Sequence, residues 1–285
     1  MRQICVFRPR QRVLQLGRKT AVMGVVNITP DSFYDGGKFL STDRAVERGL
    51  ALVEQGADLI DLGGESSRPG AEPVSTCEEL ERVLPVLAAI RPQVTVPISV
   101  DTTKSEVAEK ALQAGADIIN DISAFRFDPQ LPHVVAKWEA GIILMHMRGN
   151  PRNMQKLPPS GSILSEIRQD FRNAVKTAFQ HNIPGDKIAL DPGIGFGKTL
   201  EDNLKILNRL RFLEGFKLPI LIGVSRKSFL GAILDLPVQR RLLGTLASVA
   251  IAITRGAHMV RVHDVAEVLE VVRVTDSILA EGRVT

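Results

Sequence analysis

Short apolar runs alternate with longer amphipathic segments along the chain, and the apolar runs repeatedly end in a polar residue. The runs predict eight strands, over Ala21–Val26, Leu59–Leu62, Pro97–Asp101, Ile118–Asn120, Gly141–Met145, Lys187–Leu190, Pro219–Gly223 and His258–Val262. The segments between them have helical periodicity and predict helices over residues 43–55, 76–90, 104–113, 130–139, 163–181, 202–210, 240–254 and 264–281. Strands that alternate with helices are typical of a parallel α/β sheet.

A Gly-Ala motif marks three of the turns from helix to strand. Gly-Ala-Asp occurs at residues 56–58 and 115–117, and Gly-Ala-His occurs at residues 256–258. Glycine is preferred just past a helix end because it adopts positive φ at little cost. The repeated unit favours a closed (β/α)8 barrel over an open doubly wound sheet, since the first strand lacks the Gly-x-Gly-x-x-Gly continuation of a dinucleotide-binding fold.

Polar residues at the ends of many strands indicate a site at the carboxyl face of such a barrel. Three long connections, Asn27–Leu40, Gly63–Ser75 and Met147–Gly161, follow strands and therefore lie on that face. Long loops in compact domains usually bind or cover ligands. We expect one domain over residues 1–285, with residues 1–20 as an N-terminal extension or small hairpin.

Composition and charge narrow the class of protein. The 285 residues are 44% apolar, enough for one large core, and their net charge of +4 is scattered without a basic run. This balance argues against a nucleic-acid-binding arm and is compatible with an anionic small substrate. Cys5 and Cys77 are predicted to be free thiols, and their scarcity favours a reducing, cytoplasmic location. No signal peptide or membrane span is predicted.

The segment Asp191–Lys198 is the strongest candidate for ligand chemistry. It is not a phosphate-binding P-loop, because proline occupies the position six residues before the lysine, where that motif needs glycine. We expect Asp191 to be a buried ligand acceptor, followed by a glycine-rich turn that a flat ligand can approach. Its alternative role is that of a structural turn former.

Other strand ends supply further candidates. Arg261 and His263 are two residues apart on one strand, so both side chains lie on the same side and can meet an anion. Asp101 and Asn120 end neighbouring strands and either bind a ligand or cap the strands. His146 is expected to line the pocket or support a neighbour, and His258 is expected at the surface or a helix end.

Several consecutive segments together resemble the dihydropteroate synthase family. They are Met23–Gly37, Gly64–Ala71, Asn120–Ser123, Leu144–Met147, Asp191–Lys198, Gly223–Ser228 and Arg261–Val265. The resemblance implies a pterin-binding barrel that condenses 6-hydroxymethyl-7,8-dihydropterin diphosphate with p-aminobenzoate and releases pyrophosphate. It also implies magnesium, a homodimer and membership of a family that sulfonamides target. The chain differs from the usual family pattern at Ser67, where threonine is common, and at Ala124, where glycine is common.

The same resemblance implies roles for individual residues. The pterin is contacted by Asp101, Asn120, Asp191, Lys227, Met145, Phe196 and Gly223. The diphosphate is contacted by Asn27, Ser67, Arg68, Arg261 and His263, with Asn27 also binding magnesium. The p-aminobenzoate is contacted by Phe33, Pro69, Phe196, Lys227 and Ser228, and catalysis involves Asp35, Lys227 and Arg261.

The expected mechanism is a dissociative, SN1-like substitution, because bound pyrophosphate is a good leaving group and the arylamine is neutral near pH 7. Two other functions remain alternatives: a methyltetrahydrofolate-binding methyltransferase domain, which has no diphosphate to bind, and a non-catalytic pterin-binding paralogue. A metal hydrolase barrel is disfavoured, since the first strand carries no histidine pair.

Overall fold

The computed structural model describes residues 2–28 and 38–281. The strands in these ranges are β1 (Cys5–Phe7), β2 (Leu14–Leu16), β3 (Ala21–Asn27), β4 (Leu59–Gly63), β5 (Ile98–Asp101), β6 (Ile118–Asp121), β7 (Gly141–Met145), β8 (Ile188–Asp191), β9 (Leu221–Ile222) and β10 (Met259–Val262). The helices are α1 (Lys38–Glu54), α2 (Thr76–Ile90), α3 (Ser105–Gln113), α4 (Leu131–Lys137), α5 (Ile163–Gln180), α6 (Leu200–Asn208), α7 (Ser228–Leu234), α8 (Leu242–Thr254) and α9 (Val265–Leu279).

Strands β3 to β10 form one parallel sheet that closes into a barrel. The strand order is β8-β7-β6-β5-β4-β3-β10-β9. The two ends of this order meet at a parallel bridge between Leu190 and Ile220, next to a hydrogen bond of 2.9 Å from the Leu190 amide to the Pro219 carbonyl. The predicted eight-stranded α/β barrel is therefore confirmed.

Most predicted elements lie within a few residues of their observed bounds. Helix α7 was not predicted, because its seven residues, Ser228–Leu234, directly follow a polar strand end and are too few to show a helical period. Strand β9 has two residues, whereas the sequence predicted a strand over Pro219–Gly223. Strands β1 and β2 pair antiparallel, with Cys5 opposite Leu16, and form a small hairpin.

The two larger clusters of the apolar core lie on opposite faces of the strands, because neighbouring side chains of a strand point to opposite faces. Val22 and Val26 of β3 belong to the outer cluster, which also includes Leu87 of α2 and Phe171 of α5. The inner cluster fills the amino-terminal end of the barrel and contains Cys5, Phe7, Leu16, Ala21, Met23, Leu59, Ile118, Ile143, Ala189, Leu221 and Met259. We call this inner cluster the barrel floor; residues of the β1–β2 hairpin belong to it.

His258 corrects one expectation. Its ring is buried rather than at the surface: Nδ1 accepts a hydrogen bond of 3.1 Å from the Ile220 amide, and Nε2 lies 2.9 Å from the Gln3 carbonyl. The residue therefore links the hairpin segment to the barrel. The expected turns are present, since Gly56, Gly115 and Gly256 have φ values of 99°, 102° and 108°.

Candidate active site

Polar side chains lie directly above the barrel floor. Because strand residues two apart share a face, the floor residues fix which later residues point into the barrel. Leu59, Ile118, Ala189 and Met259 of the floor are followed two positions later by Asp61, Asn120, Asp191 and Arg261. On each of these strands, the inward-facing residue at the floor is apolar and the next inward-facing residue is polar or charged. We call Asp61, Asn120, Asp191 and Arg261, together with Asp101, the charged layer.

Asp61 is the central acceptor of this layer. It is fully buried, and its Oδ2 accepts from Arg261 Nε at 2.6 Å and from Asn120 Nδ2 at 3.1 Å. Arg261 Nη2 also donates to Asp101 Oδ2 at 3.2 Å. One guanidinium is therefore held between two carboxylates, and these contacts join Asp101, Asn120 and Arg261 in one hydrogen-bonded cluster with Asp61.

Two atoms of this cluster are left for a ligand. Asp61 Oδ1 and Asn120 Oδ1 are buried and have no hydrogen-bond partner among the described residues. Burial, together with the neighbouring charge of Asp61, raises the pKa of the Asp101 carboxyl. Buried acceptors of this kind usually find a donor, so the layer suits a ligand that presents several N–H groups.

Asp191 and Lys227 form a second charged group on the other side of the interior. Burial raises the pKa of Asp191, whose Oδ1 accepts a hydrogen bond of 2.7 Å from the Gly193 amide. Burial lowers the pKa of Lys227 to about 8, although the Asp191 charge opposes this shift. Lys227 Nζ donates to the Ile194 carbonyl and lies 4.4 Å from the centre of the Phe196 ring. The Asp191 carboxylate, the Lys227 ammonium group and the Phe196 ring therefore all lie at the same glycine-rich turn.

The remaining predicted pterin residues lie nearby. Met145 is the register partner of Asp191 and packs in a small apolar cluster with Ile122, Met147 and Met154, against which Phe196 rests. Gly223 lies beside Arg261, since a Cβ built at Gly223 would be 3.9 Å from the Arg261 Cβ. The mouth of the barrel thus combines charged groups with an apolar wall.

His263 follows Arg261 at the rim. Its Nδ1 lies 2.9 Å from Ser225 Oγ, which also accepts a hydrogen bond of 3.2 Å from the His263 amide. Burial and the Arg261 charge lower the pKa of His263 to about 4, so the ring is neutral at neutral pH. A neutral imidazole beside an arginine can still donate one hydrogen bond to an anion.

A bidentate ion pair between Arg226 and Asp264 connects the loops that follow β9 and β10. Arg226 Nε and Nη2 contact the two carboxylate oxygens of Asp264 at 2.9 and 2.8 Å. Arg226 precedes Lys227 and has φ of 53°, a left-handed conformation that is unusual for a residue with a side chain. The pair therefore fixes the loop that carries Lys227 against the loop that follows His263.

The loop after β4 supplies Ser67, Arg68 and Pro69. Ser67 lines a cavity of about 300 Å³ together with Asp101 and Lys104. Arg68 and Pro69 are exposed, and the Arg68 side chain has no hydrogen bond or ion pair to any described residue. Within the described residues, the structure brings Ser67 beside the charged layer and leaves Arg68 outside it.

Other predicted residues lie at the edge of the site or outside the described ranges. Asn27 ends β3 and is half-buried, opposite Gly63 of β4. Ser228 is exposed at the start of α7. Phe33 and Asp35 lie outside the described residues.

Sequence reasoning missed two polar residues of the site region. Asp61 lies within the predicted strand Leu59–Leu62 and was assigned no ligand role, although its two-residue spacing from Leu59 is a usable signal. Lys198 was considered only within the rejected P-loop pattern. Its Nζ is buried and donates to the carbonyls of His146, Gly193 and Phe196 at 3.1, 2.8 and 3.0 Å. Burial lowers the pKa of Lys198 to about 7.

His146 contacts residues of two neighbouring elements, β8 and α5. Its amide donates to the Asp191 carbonyl at 2.9 Å, and its Nε2 lies 3.3 Å from Asp170 Oδ2. Burial lowers the pKa of His146 to about 4.

Two general properties concern metals and membranes. Among residues 2–28 and 38–281, no cluster of three or more histidine, cysteine or acidic side chains is arranged to bind a metal ion. In the same ranges, no helix combines the length and apolar character needed to cross a membrane.

Known proteins resemble this chain over nearly its whole length. Residues 23–263 match the family model described as pterin binding enzyme. A dihydropteroate synthase of Synechocystis is 48% identical over 94% of this chain and 93% of its own length. A Clostridium difficile dihydropteroate synthase crystallised in the presence of pteroic acid has a TM-score of 0.88 and 41% identity, covering 92% of this chain and 98% of that one. A Xanthomonas albilineans dihydropteroate synthase with 4-aminobenzoic acid has a TM-score of 0.91 and 38% identity, covering 97% and 99%.

Proposed function

The chain belongs to the dihydropteroate synthase family, and on this premise we propose that it condenses 6-hydroxymethyl-7,8-dihydropterin diphosphate with p-aminobenzoate. The products are 7,8-dihydropteroate and pyrophosphate, so the protein is a transferase of folate biosynthesis. One observation carries the proposal: buried carboxylates, an arginine and a lysine meet above an apolar barrel floor. This charge pattern suits a flat, donor-rich ring with an anionic tail.

The pterin ring lies among the acceptors of the charged layer. Its adjacent ring N–H and exocyclic NH₂ match the two oxygens of a carboxylate, which is the role of Asp191. Asn120 bonds to the adjoining edge, Asp101 accepts from a further ring N–H, and Lys227 donates to the ring carbonyl side. Met145, Phe196 and Gly223 form the flat wall of the pocket.

The diphosphate lies at the rim, where Arg261 and His263 donate to its oxygens. Ser67 and Arg68 reach it from the loop after β4 when that loop closes. Mg²⁺ is compatible with this set, because it binds through few protein oxygens and completes its shell with substrate phosphates and water. Asn27, a half-buried residue at the end of β3, would hold the ion through its side-chain amide oxygen, and the ion would neutralise charge on the leaving pyrophosphate.

The p-aminobenzoate enters last and packs against Phe33, Pro69 and Phe196, with Ser228 and Lys227 near its carboxylate. Departure of pyrophosphate leaves positive charge on the pterin methylene, and Asp35 stabilises that charge. The neutral arylamine then attacks and loses one proton. This SN1-like route needs no strong base beside the nucleophile.

The assembly and location follow the same premise. We propose a single domain over residues 1–285, a cytoplasmic location and a homodimer. The dimer proposal is supported by large apolar side chains that are exposed on α7 and α8, namely Ile233, Leu243 and Ile251. Sedimentation of the purified protein tests it, and a monomer at micromolar concentration contradicts it.

The direct test of function is pyrophosphate release, measured with and without p-aminobenzoate and with and without EDTA. Release that requires both p-aminobenzoate and Mg²⁺ is expected. Asp191→Asn should weaken binding of 6-hydroxymethyl-7,8-dihydropterin about 10- to 100-fold, because a charged hydrogen bond contributes about 1.5–3 kcal/mol. Asp43→Asn, at an exposed position on α1, is the matched control.

The outcomes separate the alternatives. Tight pterin binding without any pyrophosphate release indicates a non-catalytic pterin-binding protein. Calorimetry adds the order of binding, since p-aminobenzoate should bind tightly only after the diphosphate substrate or pyrophosphate. Tight binding of p-aminobenzoate to the free protein contradicts that order.

A further inference from the structure

Lys198 is a buried lysine whose ammonium bonds only to backbone. It uses its three donors on the carbonyl oxygens of His146, Gly193 and Phe196, at 2.8–3.1 Å. The acids Asp191, Glu166 and Asp202 act on it only electrostatically among the described residues. Burying a charge is expensive, so a lysine placed in this way needs a reason beyond filling space.

The three acceptors belong to two different turns. His146 follows β7, while Gly193 and Phe196 lie in the turn after β8. One ammonium group therefore cross-links the two turns at the carboxyl end of adjacent strands. It holds both ends of the four-residue segment Gly193–Phe196.

The opposite side of that segment contacts the active site. The Gly193 amide donates to Asp191 Oδ1, and the Ile194 carbonyl accepts from Lys227 Nζ. The Phe196 ring lies under the same Lys227 ammonium, at 4.4 Å. Segment 193–196 is thus held from behind by Lys198 and contacted from the front by two residues of the proposed site.

We propose that Lys198 is a positioning residue of this active site, which fixes segment 193–196 so that Phe196 and Lys227 are correctly placed for the arylamine substrate. The inference rests on the proposed function. It assigns Lys198 no contact with substrate; the residue acts through Phe196 and Lys227.

Pterin recognition depends less on this lysine. The Asp191 backbone is held by the strand ladder, since it pairs with Met145 and its carbonyl accepts from the His146 amide at 2.9 Å. Asp101 and Asn120 lie on β5 and β6, away from segment 193–196. Phe196 and Lys227 serve both substrates in the proposed site, but the pterin also keeps Asp101, Asn120 and Asp191. Loss of Lys198 should therefore impair the arylamine step more than pterin binding, whereas a purely structural role affects both equally.

The test compares Lys198→Met with the wild type. Methionine has nearly the same length but no donors, and Lys176→Met, at an exposed position on α5, is the matched control. We expect the Kd for 6-hydroxymethyl-7,8-dihydropterin to stay within fivefold. The kcat/KM for p-aminobenzoate should fall at least 30-fold, and Lys198→Arg, which keeps a cationic donor, should retain more of it than Lys198→Met.

A second measurement does not depend on turnover. Calorimetry of p-aminobenzoate binding to protein loaded with dihydropterin and pyrophosphate should show at least tenfold weaker binding in Lys198→Met. If the methionine variant does not fold, Lys198→Gln, which keeps two N–H donors, is measured in the same way.

Three results would overturn the inference: unchanged kcat/KM for p-aminobenzoate, equal losses of both affinities, or a loss explained entirely by a smaller folded fraction with unchanged KM. Failure of the proposed function looks different. In that case the wild type itself releases no pyrophosphate, and the calorimetric comparison still decides the role of Lys198.

Discussion

Gly193 provides the most demanding test of the site geometry. Its φ is +67°, a conformation that costs a residue with a side chain about 1–2 kcal/mol. A Cβ built at Gly193 would also overlap the backbone carbonyl oxygen of His146, well inside 3.0 Å. A backbone oxygen cannot rotate away, so Gly193→Ala must shift the turn itself.

The expected loss follows from the bonds that this shift breaks. The Gly193 amide bonds to Asp191 at 2.7 Å, and its carbonyl bonds to Lys198 at 2.8 Å. Each bond involves a charged group, which contributes about 1.5–3 kcal/mol. With partial relaxation we expect Gly193→Ala to lower the free energy of unfolding by about 4 kcal/mol, and the melting temperature by about 8 °C.

Two other glycines separate the contributions. Gly70 has φ of +79° but nothing within 4 Å of a built Cβ, so Gly70→Ala should lose only about 1 kcal/mol. Gly215 has neither positive φ nor a close neighbour, so Gly215→Ala should be nearly neutral. Calorimetric melting of the three variants is the assay. If Gly193→Ala melts within 2 °C of wild type and keeps its KM values, the geometric reasoning is refuted.

Three further predictions concern other parts of the site. The pKa of Lys227 is lowered to about 8, so its protonated fraction should fall as pH rises through about 8, and kcat/KM for the diphosphate substrate should fall with it. Lys227→Arg should abolish this decrease at high pH. A decrease that is unchanged in the variant would assign the titration to another group. Ala124 has φ of 51°, and Ala124→Gly should raise the free energy of unfolding by about 0.5–1 kcal/mol in urea titration, while a loss of stability contradicts the strain. A double-mutant cycle with Arg226→Lys and Asp264→Asn should give a coupling free energy of about 1–2 kcal/mol in the free energy of unfolding. Additive effects would show that the ion pair does not contribute to stability.

The barrel was largely readable from the chain because its signals are local. Apolar runs such as Ile118–Asn120 and the Gly-Ala turns at Gly56, Gly115 and Gly256 require only neighbouring residues to be interpreted. Helix α7 was not predicted, because a local signal of only seven residues is too short to show a helical period.

The site was only partly readable. Arg261 and His263 were recognised as neighbours because they share one strand face. The link from Arg261 to Asp61 spans 200 residues of sequence, and no local pattern reports such a pairing. In the sequence, Lys198 stands at the end of a segment that does not match the phosphate-binding motif. Only the structure shows that its ammonium group donates to three backbone carbonyls.

The sequence by itself determined the alternation of strands and helices, the change from apolar to polar at each strand end, and the family. Only the tertiary structure decided which polar ends meet, because closure of the barrel sets the distances between strands that are far apart along the chain. It also decided the ionisation of Lys227 and Lys198, since their pKa values depend on burial and on charges contributed by other strands. Periodicity depends only on residues that are close in sequence, whereas the pKa of a side chain depends on all the groups that pack around it.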